Sequence, residues 1–80
     1  MFTVYAIKSA QHNFIYVGMT EDLTARLERH NKGYNQSTKH FAPYQLIYSE
    51  EHPDGMTARQ REKFLKSTSG KRFLYSLIKN

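Results

Sequence analysis

The chain has 80 residues, twelve Lys and Arg against seven Asp and Glu, and no cysteine. That length suits one domain over residues 1–80 with a thin core, because so short a chain removes only about 60–65% of its unfolded surface from water, and the missing cysteines exclude disulfides and thiolate metal sites. The formal net charge of +5 favours a polyanionic partner. The longest apolar run, 14–19, falls far short of the roughly 20 residues that span a bilayer, and no basic, apolar leader opens the chain.

Residues 3–8 (TVYAIK) are β-branched and aromatic, the composition of a strand. A polar turn over 9–13 leads into a second strand over 14–19, and so short a connection makes the pair an antiparallel hairpin. Thr20 suits a helix N-cap, with Glu21 and Asp22 in the first turn, where acids complement the helix dipole. That helix runs to about Lys32, and Gly33 suits its stop.

Residues 34–42 read as a polar loop. Pro43, tolerated at a strand's first position, opens a third strand over 44–49. After a loop over 50–55, Thr57 and Gln60 have capping-box spacing for a second helix that ends near Ser67. Ser69 and Gly70 read as a break before a last helix over 71–79, which carries Phe73, Leu74, Leu77 and Ile78. The order β-β-α-β-α-α implies an α/β fold of the α+β kind: a three-stranded antiparallel sheet flanked by helices.

Two charged residues fall on apolar faces. Arg26 lies on the border of the stripe formed by Leu23, Leu27 and His30, at the helical period of 3.6 residues. A guanidinium there keeps its charge and seeks an anion, unless its stem merely snorkels to water. Glu62 shares a face with Ala58 and Leu65, while Arg59 and Lys63 point elsewhere. A carboxylate so placed needs a cation. The partner is a structural ion pair, Arg26 included, or a Mg²⁺ ion that keeps its waters and takes phosphate oxygens from a substrate.

Tyr5 and Tyr16 sit on the paired strands, where tyrosine ordinarily serves packing. Gly18 shares the face of Tyr16, and a glycine inside a strand marks close approach of a ligand or backbone. His30 lies one turn beyond Arg26, placed to touch a phosphate or to close the packing. Lys39 and His40 form a basic loop patch suited to a nucleic-acid backbone, or simply to solvent. The four histidines show no metal-ligand spacing.

Together, Val4-Tyr5, Tyr16-Val17-Gly18, Arg26 and His30-Asn31 on the first helix, and Glu62 after Ala58-Arg59 resemble the GIY-YIG nuclease domain, most of all its small, single-domain bacterial members. The likeness runs from residue 3 to about residue 75. Thr3 stands where the first glycine of the family motif would be, and Val17 replaces isoleucine; strand geometry survives both. No late asparagine near the site is assigned, since Asn80 is at the end of the chain.

The resemblance implies that Tyr5 and Tyr16 line a catalytic site, that Arg26 contacts the scissile phosphate, and that Glu62 binds one Mg²⁺ or Mn²⁺ ion. Gly18, His30, Lys39 and His40 are the expected nucleic-acid contacts. The function so implied is a metal-dependent endonuclease that hydrolyses DNA phosphodiester bonds in the bacterial cytoplasm, on the nucleoid when bound. With no recognition helix of several base-reading side chains, the cue is DNA structure, such as a branch or nick, rather than sequence. The alternative is a non-catalytic nucleic-acid binding module on the same fold.

Overall fold

The strand-forming run near the N-terminus becomes β1 (Phe2–Ser9), which is the middle strand of the sheet. In the computed structural model, which describes residues 1–78, β2 (Ile15–Thr20) and β3 (Tyr44–His52) pair with it antiparallel on either side. Val4, Tyr5, Ala6 and Ile7 are all 0% exposed. A strand buried on both faces requires cover on both.

Alternation along β1 sends Val4 and Ala6 to one face and Tyr5 and Ile7 to the other. On the first face, Val4, Ala6, Ile15 and Val17 pack with Ala58 and Leu65 of α2 (Gly55–Lys66) and Leu74 of α3 (Thr68–Ile78). On the second, Tyr5, Ile7 and Tyr44 pack with Tyr16, with Leu23 and Leu27 of α1 (Leu23–Asn31), and with Phe41. The expected order and antiparallel sheet are what the chain forms. The β1–β3 register shifts between Ala6 and Ile7, whose partners are Tyr48 and Leu46; Ile47 is the extra residue of a bulge.

Several local features differ from expectation. Asp22, not Thr20, caps α1, its carboxylate accepting from the Ala25 N–H at 3.1 Å. Thr20 closes β2, and its hydroxyl accepts from the Asp22 N–H at 3.1 Å. At the start of α2, Asp54 caps by accepting from the Thr57 N–H at 2.8 Å, in place of the Thr57 capping box. In both cases a carboxylate adds negative charge to the positive end of the dipole as well as an acceptor. Gly33 ends α1 as expected, at φ 78°.

The break between the last two helices falls at Ser67, whose ψ of 170° is extended. Gly70 instead lies inside α3, against the end of α2. A Cβ there would stand 2.1 Å from the Phe64 carbonyl oxygen and 2.4 Å from Leu65 Cα, so this glycine serves helix-to-helix approach. Within the expected loop 34–42, Lys39–Phe41 wind into a 3-10 turn, and β3 continues past Ser49 to His52. The expected end of the last helix at Lys79, like Asn80, lies outside the described residues. Among the described residues no helix is long and apolar enough to cross a membrane.

Candidate active site

Sheet alternation puts the Tyr5 phenol on the α1 face, and the helical period brings His30 to meet it. The Tyr5 hydroxyl and His30 Nε2 share a hydrogen bond of 2.8 Å. The other ring nitrogen, Nδ1, is 2.8 Å from Thr38 Oγ1. Thr38 is held in turn by Tyr44, whose hydroxyl donates to the Thr38 carbonyl at 2.8 Å, while the Tyr44 N–H donates to Asn31 Oδ1 at 2.6 Å. A buried chain of polar contacts thus links β1, the end of α1, the 3-10 turn and the start of β3. Tyr16 closes the cluster from β2, its ring centroid 4.9 Å from His30 and 6.4 Å from Tyr5.

Gly18 faces Tyr5 across the β1–β2 ladder. The close approach expected at this glycine is made by a side chain: a Cβ would stand 2.7 Å from the Tyr5 hydroxyl oxygen. Tyr5 and His30 are fully buried, whereas Tyr16 keeps partial exposure. Both ring nitrogens of His30 are engaged inside the protein, a placement that serves the Tyr5 hydroxyl rather than an arriving phosphate.

Charge converges on the same hydroxyl. Burial, with Tyr16 nearby, pushes the Tyr5 phenol up to about 12; Arg26 acts against this by hydrogen bonding and charge, and the Glu62 carboxylate adds to it. Burial also lowers the His30 pKa, and the charges of Arg26 and Arg29 lower it further. Both groups are therefore neutral at neutral pH.

Arg26 is half-buried at the stripe's border, as expected, and among the described residues it forms no salt bridge. The Arg26–Glu62 ion pair is not formed. Glu62, 8% exposed, pairs within α2 with Lys66 Nζ at 3.1 Å and Arg59 Nε at 3.4 Å. Arg59, expected to point elsewhere, reaches forward one turn. Both cations are themselves exposed, so their hold on the carboxylate is weak.

Over residues 1–76 the sequence matches the GIY-YIG catalytic domain. The chain belongs to the GIY-YIG family. Among its relatives are the UPF0213 proteins of Staphylococcus aureus strains Mu3 and N315, each 34% identical over 65 residues, covering 80% of this chain and 78% of theirs. The solution structure of the UPF0213 protein BH0048 from Bacillus halodurans shares the fold, with a TM-score of 0.55 and 26% identity over 96% of this chain and 85% of that one.

This GIY-YIG site joins Tyr5, Tyr16, Gly18 and His30 by contact, and Arg26 and Glu62 by charge. Lys39 and His40 are exposed on the turn that follows Thr38, so the basic patch sits beside the buried chain, not within it. Among the described residues no three His, Asp or Glu side chains gather as a metal cluster. A lone carboxylate still suits a hydrated Mg²⁺ or Mn²⁺ ion, which completes its shell with water and phosphate oxygens. Glu62 fits that requirement once Lys66 and Arg59 swing away. Thr38 and Tyr44 are the members that sequence reasoning missed; both lie outside any periodic pattern, and their partners are made only by tertiary contact.

Proposed function

We propose that this GIY-YIG protein is a divalent-metal-dependent endonuclease that hydrolyses DNA phosphodiester bonds. The observation that carries this reading is the convergence on the Tyr5 hydroxyl of one cation, Arg26, and one carboxylate, Glu62, beside a second, more accessible tyrosine, Tyr16. Such a site offers a binder for phosphate charge, a seat for an ion and a group able to take a proton.

In this reading Arg26 binds the phosphate and stabilises the charge that grows on it. Tyr16, as its phenolate, takes the proton of the attacking water as the new phosphorus–oxygen bond forms; the bond to the sugar oxygen breaks, and that oxygen leaves with the electron pair and takes a proton from solvent. A tyrosine ordinarily ionises near pH ~10, so a proton-accepting role needs nearby positive charge. Tyr5, kept protonated by burial, acts as a hydrogen-bond donor. An ion on Glu62 would supply Lewis acidity toward the phosphate and the leaving oxygen. Lys39 and His40 meet the DNA backbone outside the site.

Affinity of this kind is electrostatic, so it falls steeply with salt and depends on DNA shape more than on sequence. Bound this way, the protein works on the nucleoid within the cytoplasm. The test is incubation of the chain with a branched junction and with plain duplex, in Mg²⁺, in Mn²⁺ and in chelator. Nicking that requires the metal and favours the branch supports the reading. Binding without cutting in either metal overturns it and leaves a non-catalytic binding module.

A further inference from the structure

We propose that Lys66 and Arg59 compete with the divalent ion for Glu62 and so set how tightly that ion is held, a role that rests on the reading above of Glu62 as its seat. Cations three residues before and four residues after an acid lie next to it on a helix surface. Here the two do not share an oxygen. Lys66 Nζ is 3.1 Å from Oε2, and Arg59 Nε is 3.4 Å from Oε1. Each carboxylate oxygen thus carries its own cation. Glu62 shares the buried face of α2 with Ala58 and Leu65, whereas the side chains of Lys66 and Arg59 are 53% and 64% exposed. The carboxylate is the fixed member, and the two cations are the movable ones.

A hydrated Mg²⁺ or Mn²⁺ ion needs at least one of those oxygens. Lys66 opposes it by holding an oxygen and, once moved aside, by its own charge, since a divalent ion repels a cation twice as strongly as a single charge does at equal distance. A neighbour of like sign adds to this. Lys71 is held in place by donating from Nζ to the Ile15 carbonyl at 2.7 Å. Burial first, and then the charge of Lys66, keep its pKa below the ordinary 10.5. Among the described residues Glu62 is the one carboxylate that Lys66 pairs with. Released from it, Lys66 is left near another cation, and a DNA phosphate is the anion that would take it up.

Lys66 and Arg59 are thus positioning residues that act through Glu62. Pairs made by exposed side chains are weak, so the competition tunes the ion's affinity and does not lock the site. Lys66, with the shorter contact, is the stronger competitor. Lys63 offers the comparison: it is adjacent to Glu62 in sequence, carries the same charge, is exposed, and forms no salt bridge among the described residues.

The experiment titrates Mn²⁺ into the full chain and reads the free ion by electron paramagnetic resonance, with no DNA present. Lys66→Met keeps the stem and removes the charge; it should bind Mn²⁺ about fivefold more tightly than wild type, the upper end for one exposed pair. Lys63→Met loses the same net charge and should gain less than about twofold, since its charge is exposed and not on the carboxylate. Glu62→Gln should abolish binding. A Lys66→Met protein that binds no tighter than wild type, or gains no more than Lys63→Met, overturns the competition, as does an absence of binding in both wild type and Lys66→Met. Binding lost in Glu62→Gln with no gain in Lys66→Met removes the competitor and leaves the ion's seat standing. Equal binding by Glu62→Gln and wild type removes the seat itself, and the competition with it. Binding is read without any cutting, so a chain that never nicks DNA still decides the matter.

Discussion

Gly18 stands beneath the Tyr5 hydroxyl so closely that a Cβ on the glycine would lie 2.7 Å from that oxygen, 2.9 Å from Tyr5 Cζ and 3.1 Å from Tyr16 Cε2. The two residues are direct partners across β1 and β2. The missing side chain on β2 is the space into which the phenol of β1 extends to meet His30. A strand glycine here follows from the packing of the site, and needs no unusual backbone angle.

Gly18→Ala is therefore expected to displace Tyr5 from His30. Overfilling a packed position costs about 1–3 kcal/mol, and in a domain of this size each kcal/mol lowers the melting midpoint by about 4–8 °C. Thermal melting and a nicking assay check this together. A midpoint and a cutting rate both equal to wild type would show that the site tolerates the methyl group.

Arg26→Ala is expected to remove cutting while leaving the fold in place. Glu62 draws on Lys66 and Arg59, so no buried carboxylate is stranded when Arg26 goes. Loss of one well-placed charge donor slows such reactions by about 100- to 1000-fold, and the stability change should stay within about 1 kcal/mol. Melting and single-turnover nicking separate the two effects. A large fall in midpoint would make the arginine structural.

The buried His30 sets a pH dependence of stability. Its pKa is below the ordinary 6.5, through burial first and then Arg26 and Arg29. Below about pH 6.5 the unfolded chain therefore takes up a proton that the folded chain resists. Its contribution is complete above that pH and is lost as the pH falls toward the lowered value. Burial favours a neutral Glu50, yet hydrogen bonds from Tyr48, Arg61 and His52 outweigh it and hold the carboxyl below its ordinary 4.5, so a further loss belongs to more acid conditions. Melting curves between about pH 7.5 and 5.5 should show the midpoint falling, and His30→Gln should fall less over the same window. Parallel profiles for the two proteins would contradict this.

Much of this arrangement was legible because it follows simple periods. The stripe of Leu23, Leu27 and His30 and the face of Ala58, Glu62 and Leu65 are helical spacings, and the strand alternation placed Tyr16 and Gly18 together. The partners of Glu62 also lay at readable i, i+3 and i, i+4 distances, although Arg59 was assigned to another direction. What stayed hidden was tertiary. Gly70 has the form of a helix break, and only the approach of α3 to Phe64 and Leu65 gives it a packing role. Thr38 and Tyr44 sit in a loop and at a strand edge with no periodic signal, and their link to Tyr5 passes through His30 after the chain has folded. The caps Asp22 and Asp54 prevailed over Thr20 and Thr57 because a carboxylate offers both an acceptor and a charge to the helix start.

The most direct test of the account is the single-turnover nicking rate of Glu62→Gln against wild type, in Mg²⁺, on a branched DNA. Glutamine keeps the shape and removes the charge, and the pairs with exposed Lys66 and Arg59 that it breaks contribute about 0–1 kcal/mol each, so the variant should fold. A site whose ion rests on Glu62 should lose about 100-fold or more in rate. Equal rates from the two folded proteins, each free of contaminating nuclease, would contradict the assignment of Glu62 and with it the proposed metal-dependent cutting at this site.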